Sequence, residues 1–162
     1  MGYPMAGHLA NAGHTIAVFN RTLGKAQKWH RQYPGTIAQT AAEAAKASDV
    51  VFVCVGNDED VKSVLFSDEG VFAGLAPHGI VVDHTTTSAT LAVEMQKYSK
   101  QIGCSYLDAP VSGGEMGAQE GALTIMAGGS KGIYQSVAPL MACYARHSEY
   151  VGPSGYGQLT KM

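Results

Sequence analysis

The chain has little net charge and no long apolar run. Over 162 residues the formal net charge is −2, so there is no basic excess to bind nucleic acid or an anionic membrane surface. No apolar run reaches the ~18 residues that span a bilayer, and no basic segment followed by an apolar one opens the chain. We therefore expect no nucleic-acid partner, no membrane and no signal peptide. The expected compartment is the cytoplasm, or the mitochondrial matrix in a eukaryote.

Cysteine and histidine are too few and too scattered to predict a disulfide framework or a metal site. The three cysteines lie far apart, and no two of them form a C-x-x-C pair. The six histidines form no H-x-x-x-H or H-E-x-x-H pattern. We expect no bound metal and reduced thiols, among which Cys54 in the run VVFVCV is predicted to be a small buried hydrophobe.

Helical and strand-like segments alternate, which is typical of a doubly wound α/β fold with a mainly parallel sheet. The runs DVVFVCV (49–55) and GIVVD (79–83) are nearly continuous in apolar residues, so we predict two strands in the sheet interior, buried on both faces. Ser88 and Gly103 are predicted to cap and end one helix. Further strands are predicted at 15–20, 106–109, 123–127 and 149–151, and further helices at 4–12, 24–33, 40–47, 59–65 and 133–142.

A glycine-rich segment, LDAPVSGGEMGAQEGALTIMAGG (107–129), is the most informative stretch of the sequence. Ser112, Gly113 and Gly114 lie between a strand-like segment closed by Pro110 and a second apolar strand. Glycines let backbone N–H groups come close to a ligand, and a serine hydroxyl beside them suits a carboxylate. Glycines that only shape a turn would also explain this composition.

The segment resembles the substrate loop of the β-hydroxyacid dehydrogenases. That family includes 3-hydroxyisobutyrate dehydrogenase, tartronate semialdehyde reductase and the glyoxylate/succinic semialdehyde reductases, and 6-phosphogluconate dehydrogenase is a relative. Two further matches stand at the ends of the chain. Met1-Gly2 before a helix resembles the last third of a G-x-G-x-M-G loop, and GYGQLTK (155–161) resembles a G-x-G-x-x-x-K motif that leads into a helical second domain.

This resemblance implies that residues 1–162 form a partial NAD(P)-binding domain of the Rossmann type, without its first strand and without the C-terminal helical domain. In the Rossmann order the first strand lies between the strands predicted at 15–20 and 49–55. Its absence would leave two edges unpaired, so we expect residues before Met1 in the natural protein. A homo-oligomer formed through the absent domain is also expected.

The cofactor expected from the resemblance is NADP, with NAD as the alternative. Gly2 opens a helix whose N-terminus suits a pyrophosphate. Arg21 follows the second strand of the Rossmann order, where an acidic residue would hold a ribose hydroxyl and an arginine accommodates a 2′-phosphate. No Asp or Glu lies between Gly13 and Lys28. The cofactor-binding residues implied are Gly2, Asn20, Arg21, Thr22, Val55, Gly56, Asn57 and Thr86; Val55, Gly56 and Asn57 take the place of a Leu-Pro pair in the family.

The resemblance also implies a reaction, a reversible hydride transfer between a small 3-hydroxy acid and its semialdehyde or oxo acid. Lys161 would exchange the proton with the substrate oxygen, and Ser112, Gly113 and Gly114 would hold the substrate carboxylate. Two alternatives stay open: a non-catalytic dinucleotide-binding module, and an oxidative decarboxylation like that of 6-phosphogluconate dehydrogenase. We expect little or no turnover from residues 1–162 alone.

Overall fold

A computed structural model describes all residues from 1 to 162, with nine helices and eight strands. The helices are α1 (Gly2–Asn11), α2 (Leu23–Gln32), α3 (Ala41–Lys46), α4 (Asp58–Phe66), α5 (Val71–Gly74), α6 (Ala89–Gln101), α7 (Gly114–Gln119), α8 (Lys131–Met141) and α9 (Tyr156–Lys161). The strands are β1 (Ala17–Val18), β2 (Thr36–Ile37), β3 (Val50–Val53), β4 (Ile80–Asp83), β5 (Ser105–Asp108), β6 (Val111–Ser112), β7 (Leu123–Gly128) and β8 (Ala145–Gly152). No helix has both the length and the apolar character needed to cross a membrane.

The main sheet has six strands in the order β3-β4-β5-β7-β6, with β8 also paired to β7. Strands β3, β4 and β5 are parallel, β8 runs parallel to β7, and β7 is antiparallel to β5 and β6. Successive side chains of a strand point to opposite faces, and fully buried Val81 and Val82 accordingly belong to separate hydrophobic clusters. The doubly wound, mainly parallel α/β fold predicted from the sequence is confirmed.

Strands β1 and β2 form a separate parallel pair, and a cavity of about 1040 Å³ separates them from β3. The cavity is lined by residues 16–20 on one side, by residues 50–56 on the other, and by α1. In the Rossmann order one more strand lies at this place. The expected pair of unpaired edges is therefore present, one on β1 and one on β3.

The gap explains why part of the prediction for residues 49–55 is wrong. The strand extends only over Val50–Val53 and forms the end of the main sheet rather than its interior. Its first three residues are half-buried, Cys54 is half-buried too, and Val55 is exposed. The physical reason is the missing neighbour, because the open edge of β3 faces the cavity. The second run behaves as predicted, since Val81, Val82 and Asp83 in β4 are fully buried.

Short elements account for most of the other differences from the sequence-based prediction. Strands β2 and β6 have two residues each, and helices α5 and α7 have four and six, too few for a periodic pattern. Gly114 opens α7 instead of lying in a loop. The cap of α6 is as predicted, because the Ser88 hydroxyl accepts a hydrogen bond from the Leu91 N–H at 3.1 Å.

Candidate functional site

A small cavity of about 370 Å³ lies beyond the carboxyl ends of β3 and β4, where ligands bind in open α/β sheets. Five parts of the chain that are distant in sequence meet around it. They bring together seven of the residues predicted from the sequence, namely Val55, Gly56, Thr86, Ser112, Gly113, Gly114 and Lys161. Met1, Cys54, His84, Thr85 and Val111 complete the lining.

Lys161 is half-buried in the last turn of α9, and its Nζ donates a hydrogen bond to the carbonyl oxygen of Val111. Val111 directly precedes the serine-glycine segment, Ser112-Gly113-Gly114, so the ammonium lies at the start of this segment. Gly113 and Gly114 both have positive φ values, +128° and +64°, which residues other than glycine rarely adopt. Glycine is therefore required there by the backbone path itself.

Asp108 at the end of β5 determines where α9 begins. Its carboxylate accepts hydrogen bonds from the N–H groups of Gly155 at 2.8 Å and Gln158 at 3.1 Å. These bonds cap the helix from a strand 47 residues earlier in the chain. Burial raises the pKa of Asp108, while the bonds from Gly155 and Gln158 partly oppose that rise. A Cβ on Gly157 would lie 2.5 Å from the Met126 carbonyl, so only glycine lets α9 pack this close to the sheet.

Gln158 joins α9 to the threonine-rich segment after β4. Its side-chain oxygen accepts from the Thr87 N–H at 3.0 Å, and its Nε2 donates to the Thr85 carbonyl at 2.8 Å. Gln158 is fully buried, whereas Thr86 between those two partners is exposed toward the cavity. The Thr85 hydroxyl in turn accepts from the Val55 N–H at 3.1 Å. One hydrogen-bond network thus sets the relative positions of Lys161, Thr86 and Val55.

The remaining predicted cofactor residues lie mostly around the larger cavity, which Gly2, Asn20, Arg21 and Thr22 line together with Val55 and Gly56. Gly2 opens α1, a ten-residue helix, as predicted. The Asn20 side chain accepts from the Thr22 N–H at 2.9 Å and so shapes the turn that presents Arg21. Asn57 lines neither cavity; its side chain caps α4 by accepting from the Asp60 N–H at 2.9 Å.

The chain matches a known domain over nearly its whole length. Residues 1–152 match the family defined by the NAD binding domain of 6-phosphogluconate dehydrogenase. The chain belongs to this family.

The relatives are oxidoreductases, and the chain spans about half the length of the curated relatives it matches. A Shewanella frigidimarina protein named as an oxidoreductase is 48% identical over 162 residues, all of this chain and 56% of that protein. The structure of Mycobacterium tuberculosis 3-hydroxyisobutyrate dehydrogenase with L-serine is 31% identical, with a TM-score of 0.93 over 99% of this chain and 54% of its own. A structure of Psf3 with NADP⁺ and 2-OPP is 30% identical, with a TM-score of 0.94 over 99% of this chain and 57% of its own.

The predicted likeness to β-hydroxyacid dehydrogenases is thus confirmed, and the cofactor class is a nicotinamide dinucleotide. The residues of this NAD-binding domain fit such a group. The N-terminus of α1 offers N–H groups to a pyrophosphate, Arg21 lies at the cavity rim, and Gly56 is exposed where the two cavities meet. The roles of the individual site residues, the compartment and homo-oligomer formation stay predictions.

Several polar residues of this domain were not predicted from the sequence. Asp83 accepts from the Thr85 N–H at 2.9 Å and from the Tyr106 hydroxyl at 2.7 Å. Asp108 and Gln158 form the network described above. The signal was present in the runs GIVVD and SYLD, because an aspartate that ends a buried parallel strand lies at the edge where ligands bind.

His84 and Asp83 are both buried, and burial shifts their pKa values in opposite directions. Desolvation lowers the pKa of His84 to about 4 and raises the pKa of Asp83 to about 6. A carbonyl can only accept, so His84 Nδ1–H donates to Ala109 at 2.6 Å, and Nε2 of the neutral ring accepts from the Tyr144 hydroxyl at 2.8 Å. The contribution of the neutral His84 ring to the free energy of unfolding is complete above pH 6.5 and is lost as the pH falls toward 4. The contribution of the protonated Asp83 carboxyl to the free energy of unfolding is complete below pH 3.8 and is lost as the pH rises through 6.

The two contributions offset each other between pH 4 and 6, so removing Asp83 should expose that of His84. In Asp83→Asn we expect the free energy of unfolding to rise with pH more steeply than in the parent chain, by about 3 kcal/mol over this interval. Urea unfolding at several pH values measures this difference, and NMR titration of the His84 ring gives its midpoint independently. Parallel curves for the two chains, or a ring that titrates near pH 6.5, would contradict the assignment.

Proposed function

We propose that the chain is the cofactor half of an NADP-linked β-hydroxyacid dehydrogenase. The proposed reaction is reversible hydride transfer between a small 3-hydroxy acid and its semialdehyde or oxo acid. The observation that carries the proposal is the convergence of Lys161 with Ser112, Gly113 and Gly114 on one cavity, next to Val55, Gly56 and Thr86. A cation, a hydroxyl and an open glycine backbone together suit a small carboxylate with an oxygen to be protonated or deprotonated.

The serine-glycine segment would hold the substrate carboxylate. Ser112 is exposed at the cavity and offers its hydroxyl, and the positive φ values of Gly113 and Gly114 turn the chain beside it. Neither glycine has a side chain to keep a ligand away from the backbone. The carboxylate would thereby be fixed on the same side of the cavity as the Lys161 ammonium.

Lys161 would exchange the proton with the substrate oxygen. A bound nicotinamide would accept the hydride from carbon in oxidation and return it in reduction. In oxidation the neutral amine form of Lys161 takes the hydroxyl proton on Nζ as the C–H bond breaks and becomes the ammonium; in reduction the ammonium gives this proton back to the carbonyl oxygen. The positive charge of Nζ also stabilises the developing oxyanion. The Val111 carbonyl holds the ammonium in position between these events.

The proposed preference for NADP rests on Arg21. This guanidinium lies at the rim of the large cavity, in the turn after β1, with its side chain 84% exposed. A planar guanidinium can form two hydrogen bonds to a phosphate, and Lys25 in the following helix lines the same cavity. The acidic residue that would instead hold a ribose 2′-hydroxyl is missing from the β1–α2 turn.

A chimera tests the proposed reaction. In it, residues 1–162 replace the matching segment of the Shewanella frigidimarina oxidoreductase, which restores a complete polypeptide of the family. We expect turnover with at least one substrate among 3-hydroxyisobutyrate, glycerate and succinic semialdehyde, and tighter binding of NADPH than of NADH by about ten- to hundredfold.

The same assay decides between the alternatives. Binding of cofactor without turnover of any acid would point to a non-catalytic module. Release of carbon dioxide from 6-phosphogluconate would favour the decarboxylating reaction. Residues 1–162 alone serve as the control, and we expect them to bind cofactor with little or no turnover.

A further inference from the structure

Arg21 does not stand alone at the rim of the large cavity. Its Nη1 lies 3.4 Å from Oδ1 of Asp60, a residue in the first turn of α4, and this is its only ion pair. The two residues are 39 positions apart in sequence, so the pairing comes from the fold. Both line the cavity in which the cofactor is proposed to bind.

The Asp60 carboxylate is held more firmly than the arginine that it contacts. Its side chain is 29% exposed against 84% for Arg21. The Asn57 side chain caps the same turn through the Asp60 N–H, and a Cβ added to Gly56 would lie 2.5 Å from Asp60 Oδ2. The carboxylate therefore lies directly against the backbone of the loop that follows β3. A negative charge packed against the loop consequently faces the exposed positive charge of Arg21.

We infer that Asp60 is a specificity-determining residue that restrains the preference of Arg21 for a 2′-phosphate. The inference rests on the proposed NADP-linked function. A 2′-phosphate must displace the carboxylate from the guanidinium and also come close to another negative charge, whereas a 2′-hydroxyl carries no charge to be repelled. Asp60 thus disfavours the phosphorylated cofactor selectively, and the Arg21–Asp60 pair together sets the ratio of the two affinities.

The decisive variant is Asp60→Asn, which removes the charge and keeps the shape and one hydrogen-bonding oxygen. We expect the dissociation constant for NADP⁺ to fall about three- to tenfold at low salt, with less than about a twofold change for NAD⁺. The gain should shrink in high salt, because an exposed charge is screened. Calorimetry with NADP⁺ and NAD⁺ measures both constants, in the 162-residue chain and in the chimera, so a folding defect in one leaves the other.

Glu59→Gln is the matched control. It removes one negative charge from the same turn of α4, but Glu59 is exposed and forms no ion pair. We expect neither affinity to change appreciably in this variant. An equal gain in Glu59→Gln and Asp60→Asn would overturn the inference, because the effect would then come from the general charge of the helix. Weaker binding of NADP⁺ in Asp60→Asn, or a clear loss of NAD⁺ binding, would also overturn it.

Arg21→Ala separates this inference from the proposal on which it rests. The proposed NADP preference fails if this variant loses affinity for both cofactors equally. The inference alone fails if Arg21→Ala loses NADP⁺ selectively while Asp60→Asn binds like the parent. In the double variant the gain from Asp60→Asn should fall to less than half, since the phosphate no longer has a guanidinium to compete for.

Discussion

Replacing Lys161 by alanine in the chimera should lower kcat by about 10²- to 10⁴-fold while leaving NADP⁺ affinity within about twofold of the parent value. The reason is the position of Nζ, at the Val111 carbonyl and beside the serine-glycine segment, away from Arg21, which lines the larger cavity and not the smaller one. Steady-state kinetics with the substrate panel and calorimetry with NADP⁺ measure the two quantities separately.

Lys161→Arg distinguishes proton transfer from a purely electrostatic role. Arginine keeps the positive charge and a donor for the Val111 carbonyl, but it stays protonated near neutral pH and cannot accept a proton. We expect Lys161→Arg to remain nearly as slow as Lys161→Ala. Lys131→Ala is the control, because Lys131 is an exposed lysine at the start of α8, outside both cavities. The kcat of this variant should match that of the parent. A parental kcat in Lys161→Ala would rule out the proposed role.

An added strand should stabilise this domain strongly. We expect an N-terminal extension of about five apolar, mainly β-branched residues, joined to Met1 through a short Gly-x-Gly-x loop, to raise the free energy of unfolding by on the order of 5 kcal/mol. The strand would enter the part of the large cavity between β1 and β3 and pair with their open edges, while the rim at Arg21 and Gly56 stays open to the cofactor. The glycine loop would lead from the strand into α1, which begins at Gly2. Urea unfolding of both chains gives the difference, and the m-value should also rise, because more surface is buried.

The control is an extension of the same length in which proline replaces two central residues of the strand. Proline has no N–H donor and is not tolerated in a strand that pairs with a neighbour on each side, so this chain should unfold like the unextended one. Equal stabilisation by both extensions would mean that the added residues bury apolar surface without forming a strand. An unchanged midpoint in the first chain would mean that the cavity does not take a strand.

The sequence by itself determined the class of fold and named most of the residues that the structure brings together around the two cavities. Alternating segments and the run GIVVD were sufficient for a mainly parallel sheet, because both patterns are local and β4 has neighbours on both sides. Lys161 and the serine-glycine segment were proposed from short motifs that resemble those of the β-hydroxyacid dehydrogenases. Such features depend on residues close in sequence, so they can be recognised even where the predicted arrangement of the strands is wrong.

The tertiary structure decided what depends on residues far apart in the chain. The sequence run at 49–55 looks as apolar as an interior strand, yet the missing neighbour leaves β3 at a sheet edge. Asp108 caps a helix 47 residues later, and Arg21 meets Asp60 across 39 residues. No local pattern encodes these pairings, because burial and charge contacts are set only when distant segments pack together. The proposed catalytic residue could thus be found from its motif, whereas the partner that tunes the cofactor preference became visible only in the folded chain.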